Sequence, residues 1–138
     1  MKTILVVDDT VSVLNVVSAT LERAHFHILQ ANSGAGALKV AACYTGEIDL
    51  LLSDVQMPEM SGPGLGDAMK KVRPEIRVMF MSGYAGGDLL VLNYGWAFIQ
   101  KPFVPKKLVD MVNAVLQTPD RSQGRYAFDT REDMNRTE

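Results

Sequence analysis

Short apolar runs alternate along the chain with longer segments of helical periodicity. Residues 4–7 are consecutive branched aliphatics, and two acids, Asp8 and Asp9, follow at once. A run that is apolar on both faces suits a strand buried inside a parallel sheet. Val11, Leu14, Val17 or Ser18, and Leu21 then recur at helical spacing, with Glu22 and Arg23 in the last turn. Residues 26–31 read as a second strand, made less apolar by its histidine and therefore suited to an edge. Asn32 and Ser33 can cap a helix that runs to Cys43, although Gly34 and Gly36 weaken its first turn. Residues 48–53 predict a third strand ending at Asp54. A loop through Met57, Pro58 and Gly62 leads to a helix over 63–72, with Leu65, Met69 and Val72 on one face and Pro74 as its stop. Residues 77–81 predict a fourth strand ending in Ser82 and Gly83. Gly86 and Gly87 introduce a short fourth helix over 88–93, closed by Gly95. Residues 97–100 predict a fifth strand ending in Lys101 and Pro102. A last helix over 105–116 points Leu108, Met111, Val112 and Val115 inward.

Five β/α units in strict alternation imply one α/β domain: a parallel sheet, doubly wound, with helices on both faces and right-handed crossovers. A chain of 138 residues holds one such domain with a sizeable core. Residues 119–138 differ in kind, with four arginines and five acids but only three large apolar side chains. They predict a polar, mobile tail after a domain spanning 1–118.

Composition removes several function classes. A net charge of −2 argues against a basic nucleic-acid surface. A single cysteine, Cys43, excludes a disulfide framework or a cysteine-built zinc site within the chain. No apolar run approaches the ~20 residues that span a bilayer. The start, Met1-Lys2-Thr3, leads straight into a strand pattern and not into a secretory apolar region. These features predict a cytoplasmic protein with no membrane contact.

In an open parallel sheet, ligands bind beyond the carboxyl ends of the strands. The predicted strands deliver Asp8, Asp9, Asp54, Ser82 and Lys101 to that edge. Three neighbouring carboxylates repel one another and call for a cation, and all-oxygen ligation suits Mg²⁺. Such an ion leaves positions open for phosphoryl oxygens, to which Lys101 and the Ser82 hydroxyl add charge and a donor. One carboxylate can then act as a nucleophile toward phosphorus. Taken singly, each residue has an ordinary explanation: Asp9 caps a helix, Asp54 opens a turn, Lys101 lies along the surface. The arrival of all five at the carboxyl ends of four strands is what the ordinary explanations leave unaccounted for.

The motifs Val6-Val7-Asp8-Asp9, Ser53-Asp54-Val55-Gln56-Met57-Pro58, Gly62, Met81-Ser82-Gly83-Tyr84 and Lys101-Pro102-Phe103 resemble those of response regulator receiver domains. The resemblance runs from residue 2 to about residue 117. It implies a flavodoxin-like fold with strand order 2-1-3-4-5. It implies that Asp54 accepts phosphate, that Asp8, Asp9 and Asp54 hold Mg²⁺ with the backbone carbonyl of Gln56, and that Lys101 and Ser82 contact the phosphoryl group. By the same resemblance Ser82 and Phe98 form the switch. Met57, Pro58 and Gly62 shape the loop beside the acceptor, and the Lys101-Pro102 bond is cis. The partners it implies are a histidine kinase or phosphotransfer protein and an output partner. That partner, or a second copy of the chain, would bind the face formed by the fourth helix, fifth strand and fifth helix. Tyr94 and Trp96 are expected on that face; the competing reading is a hydrophobic plug over a shortened fourth helix. Ser82 and Lys101 stand 19 positions apart, a short interval that predicts a short or irregular fourth helix.

The function expected is therefore phospho-acceptance in two-component signalling, by a module that catalyses only its own phosphorylation and dephosphorylation. Two rival functions compete with it. A phosphatase or phosphotransferase acting on small substrates through an aspartyl nucleophile needs a second acid two residues on and a cap domain. A receiver-like binding module that never takes phosphate needs a missing acid or lysine. The chain could act alone, as its methionine just before the first strand suggests, or belong to a larger regulator or hybrid kinase. His25 and His27 fit a partly exposed edge better than a metal site. The glycine pair after Ser33 falls at the wrong strand for a dinucleotide fingerprint.

Overall fold

In the computed structural model, which describes residues 1–83 and 96–117, strands and helices alternate as the pattern requires. They are β1 (Thr3–Val7), α1 (Val11–Arg23), β2 (His27–Ala31), α2 (Gly34–Cys43), β3 (Leu50–Asp54), α3 (Gly62–Val72), β4 (Arg77–Ser82), β5 (Ala97–Gln100) and α4 (Pro105–Gln117). All five strands are parallel, in the order β2-β1-β3-β4-β5. The less apolar β2 is an edge strand, as its histidine suggested. The helix expected over 88–93 and the tail expected over 119–138 lie outside the described residues.

The sheet separates two cores. Leu5, Val7, Leu51, Val55 and Phe80 point to one side, where α2 and α3 bring Ala37, Ala41, Leu65 and Met69. Ile4, Val6, Leu50, Leu52, Met79 and Met81 point to the other, where Leu14, Val17, Leu21, Leu108 and Val112 of α1 and α4 meet them. The consecutive aliphatic residues of β1 and β3 are thus divided between two layers, which is why those strands carry no polar alternation. Serine hydroxyls fix two helix starts. Ser33 accepts from the Gly36 N–H at 2.9 Å and Ser61 from the Gly64 N–H at 3.0 Å.

Two expected core positions are corrected. Val11 and Val72 are 55% and 46% exposed. They are the first residue of α1 and the last of α3, where the terminal turns run past the layer that covers the rest of each stripe.

Register levels one edge of the sheet. Val7 lies opposite Ser53, Asp54 opposite Met81, and Ser82 opposite Gln100. Asp8, Asp54, Ser82 and Lys101 follow or end these strands at nearly the same height.

Candidate functional site

Asp8 leaves β1 fully buried, and its carboxylate is held from two directions. The Thr10 N–H donates to Oδ1 at 2.9 Å, and the Lys101 ammonium donates to Oδ2 at 3.0 Å. The same ammonium stands 3.6 Å from Asp54 Oδ1. Thr10, and not Asp9, is the N-cap residue of α1. Asp9 is exposed, and its carboxylate joins the cluster: one oxygen each from Asp8, Asp9 and Asp54 lie within 4.8 Å of one another. Ligands on opposite sides of Mg²⁺ stand about 4 Å apart. The three acids therefore need only a small adjustment to share one ion. One ammonium among three carboxylates leaves negative charge in excess, which suits a divalent cation.

Asp54 ends β3 and is nearly buried. Burial pushes its carboxyl above the ordinary value of 3.8; Lys101 opposes that shift, the Asp8 and Asp9 charges add to it, and the Val55 N–H opposes it. An acid held this way gives up its proton reluctantly until a cation arrives.

The loop after Asp54 is closed at its neck. The Val55 N–H donates to the Met81 carbonyl at 3.1 Å, and the Gly62 N–H donates to the Val55 carbonyl at 2.7 Å. A Cβ at Gly62 would come within 2.5 Å of the Asp54 carbonyl oxygen and 2.8 Å of the Phe80 ring, so the close return of the chain needs glycine. Between these points Gln56 and Pro58 are exposed, while Met57 packs against the core on the α2 and α3 side. Ser82 is buried, and its carbonyl accepts the Lys101 N–H at 2.8 Å. The Lys101-Pro102 peptide is cis.

Phe98 lies opposite Phe80 in register and is partly buried on the α3 side of the sheet. Trp96, expected on an exposed face, is instead 5% exposed. Its ring packs 5.5 Å from that of Phe80 and over Gly66, where a Cβ would come within 2.7 Å of the indole. Trp96 thus fills the core between Phe80 and α3; the fourth helix over which a plug was expected lies outside the described residues. Trp96 and Phe98 stand two apart, so β-strand periodicity turns both rings to the same side. Tyr84 and Tyr94 lie outside the described residues.

The histidines are elsewhere. His27 is level with Thr3 at the amino end of the sheet and stacks on Tyr44, with ring centroids 6.1 Å apart. His25 takes a left-handed turn after α1, at φ 74°. Neither is near the acids. Two contributors were not assigned a role from sequence. Thr10 reaches Asp8 through its backbone, which no residue type announces. Ser53 places a hydroxyl beside Asp54, and its only signal is that it interrupts the Leu50–Leu52 apolar run.

A family model described as the response regulator receiver domain matches residues 4–113. The chain is 35% identical over 121 residues to the sensor kinase CckA of Brucella abortus, covering 86% of this chain and 13% of that one. It is 29% identical over 122 residues to the response regulator receiver protein CpdR of the same organism, covering 84% of this chain and 98% of that one. It superposes with a TM-score of 0.73 at 25% identity on the response regulator TrrA of Thermotoga maritima, solved in complex with Mg²⁺ and BeF, covering 83% of this chain and 99% of that one. The chain thus spans only a small part of the kinase and nearly all of CpdR. The receiver match over most of the chain fits phospho-acceptance and favours neither the small-substrate phosphatase nor the non-phosphorylated binding module.

Proposed function

The chain belongs to the response regulator receiver domains of two-component signalling, and from that premise we propose that Asp54 takes a phosphoryl group from a phosphohistidine donor. The donor is a histidine kinase or phosphotransfer protein in the cytoplasm. A carboxylate oxygen of Asp54 forms a bond to phosphorus as the phosphorus–nitrogen bond of the donor breaks, and the imidazole leaves.

Asp8, Asp9, Asp54 and the Gln56 carbonyl would hold Mg²⁺, which supplies positive charge to the phosphoryl oxygens and lowers the repulsion among the acids. Lys101, already between Asp8 and Asp54, adds a second positive charge to the same oxygens. The Ser82 hydroxyl donates to the phosphoryl group once it is attached. Phe98 follows Ser82 by changing its packing, a population shift no larger than the phosphate's preference for one arrangement. The output partner then reads the face that includes β5 and α4. The chain acts as a signalling module, and the only chemistry it promotes is gain and loss of its own phosphate.

The observation that carries this reading is the Lys101 ammonium bridging Asp8 and Asp54 at the level edge of the sheet. Incubation with acetyl phosphate and Mg²⁺ should add one phosphoryl group, read by intact mass. Asp54→Asn should abolish the addition, and Asp9→Ala should weaken Mg²⁺ binding and slow it. Single-site labelling that persists in Asp54→Asn would overturn the assignment.

A further inference from the structure

β3 pairs with β4 as far as Asp54, but its pairing with β1 ends one residue earlier, at Val7 opposite Ser53. The acceptor's own peptide therefore lies where one neighbouring strand has already left the sheet. Its carbonyl is met by a side chain: the Ser53 hydroxyl donates to it at 2.9 Å. Ser53 is fully buried, with Val7 and Phe80 as its register neighbours. A polar group in such surroundings costs stability unless it is bonded. Here the bond falls on the residue that carries the chemistry.

The same carbonyl is confined from the other side by Gly62, whose α-carbon leaves no room for a side chain between it and Phe80. The N–H of that same peptide, carried by Val55, donates to Met81, and the next peptide is held through the Val55 carbonyl, which accepts from Gly62. Rotation of the Asp54 peptide would break this neck and re-aim both the acceptor carboxylate and the Gln56 carbonyl beyond it.

We propose that Ser53 is a positioning residue for the phosphorylation site, its hydroxyl locking the Asp54 peptide so that the carboxylate and the following loop are set for Mg²⁺. This rests on the receiver reading above. The lock predicts a loss in metal affinity that is separable from any loss in fold stability.

The full chain is compared as parent, Ser53→Ala and Ser53→Thr. Mg²⁺ is titrated by calorimetry, unfolding is followed by heat, and labelling by acetyl phosphate is timed at limiting and saturating Mg²⁺. Ser53→Ala is expected to stay folded and bind Mg²⁺ about tenfold more weakly, in line with losses of groups that orient metal ligands. Its labelling should be slow at limiting Mg²⁺ and recover at saturation. Ser53→Thr, which keeps the hydroxyl, should restore the affinity. Should Ser53→Ala fail to fold, Ser53→Cys, of similar size and a weaker donor, is read by the same measurements. Parental Mg²⁺ affinity in the folded alanine or cysteine variant would overturn the proposal, as would a folded threonine variant as weak as alanine. A parent that neither binds Mg²⁺ nor takes phosphate would instead defeat the receiver reading itself.

Discussion

The two ends of the sheet treat charge in opposite ways. At the amino end, Asp49 and Arg73 are well supplied with partners from their own chain. Asp49 accepts the Thr3 N–H at 2.8 Å and lies 3.8 Å from the Lys2 ammonium. Arg73, the residue after α3, spreads its guanidinium over the end of α2 and the turn beyond. It donates to the carbonyls of Ala41 at 3.0 and 3.2 Å, Tyr44 at 2.6 Å and Gly46 at 2.8 Å. The last carbonyls of a helix lack partners within it, so this one side chain supplies what α2 cannot. At the carboxyl end three acids cluster around one ammonium that reaches only Asp8 and Asp54, and burial works against the ionised form of Asp54. One end satisfies Asp49 and Arg73 from within the chain and so contributes stability. The other is left short of positive charge, and the proposed Mg²⁺ and phosphoryl group would draw on that shortage.

The contrast breaks most sharply at Arg73. Arg73→Ala removes a charged donor from several carbonyls and should cost roughly 2–3 kcal/mol in urea unfolding. Mg²⁺ affinity and the labelling rate should stay at parental values in the folded fraction. A loss of Mg²⁺ affinity would mean that the two ends are coupled.

Asp54→Asn tests the opposite sign. The folded-state pKa of Asp54 lies above its ordinary value, so between the two values the folded chain binds a proton the unfolded chain has lost. Stability therefore falls as pH rises through that window, and the deficit persists at neutral pH without metal. The stability of Asp54→Asn relative to the parent should grow as pH climbs above 3.8 and then level off. Mg²⁺ should shrink that advantage by stabilising the parent. An advantage that does not change with pH would place its cause outside the Asp54 carboxyl.

A smaller effect is expected at Trp96. It is the only tryptophan, and it is buried against Phe80 on the same side as Phe98. Beryllofluoride with Mg²⁺ should alter its emission modestly, and less so in Ser82→Ala. An unchanged signal would confine the switch to the site. The smallest effect belongs to the tail: truncation after Thr118 should leave labelling unchanged and stability within about 0.5 kcal/mol.

Much of the site could be read from the chain because a parallel sheet sends every strand's carboxyl end to one edge. Asp8, Asp54, Ser82 and Lys101 each end or follow an apolar run, so finding the strands also found the cluster. The Asp8–Lys101 pairing could not be read, since it joins residues 93 apart through register alone. Arg73 carried no local signal either: an arginine after a helix reads as a solvated end, and its acceptors belong to another layer. Trp96 was misplaced because it precedes its strand, where alternation gives weak guidance. The space that receives it comes from a glycine on α3.

That space makes positions 66 and 96 a single unit of volume divided between two elements. A methyl group added at Gly66 has to displace the indole, so Gly66→Ala alone should be poorly tolerated, whereas a smaller ring at 96 should make it acceptable. The two substitutions should therefore be strongly non-additive, with the double variant more stable than the sum of the single changes would allow. Natural variation at either position would then be legible only alongside the other: a side chain at 66 would itself signal that the residue at 96 is no longer tryptophan.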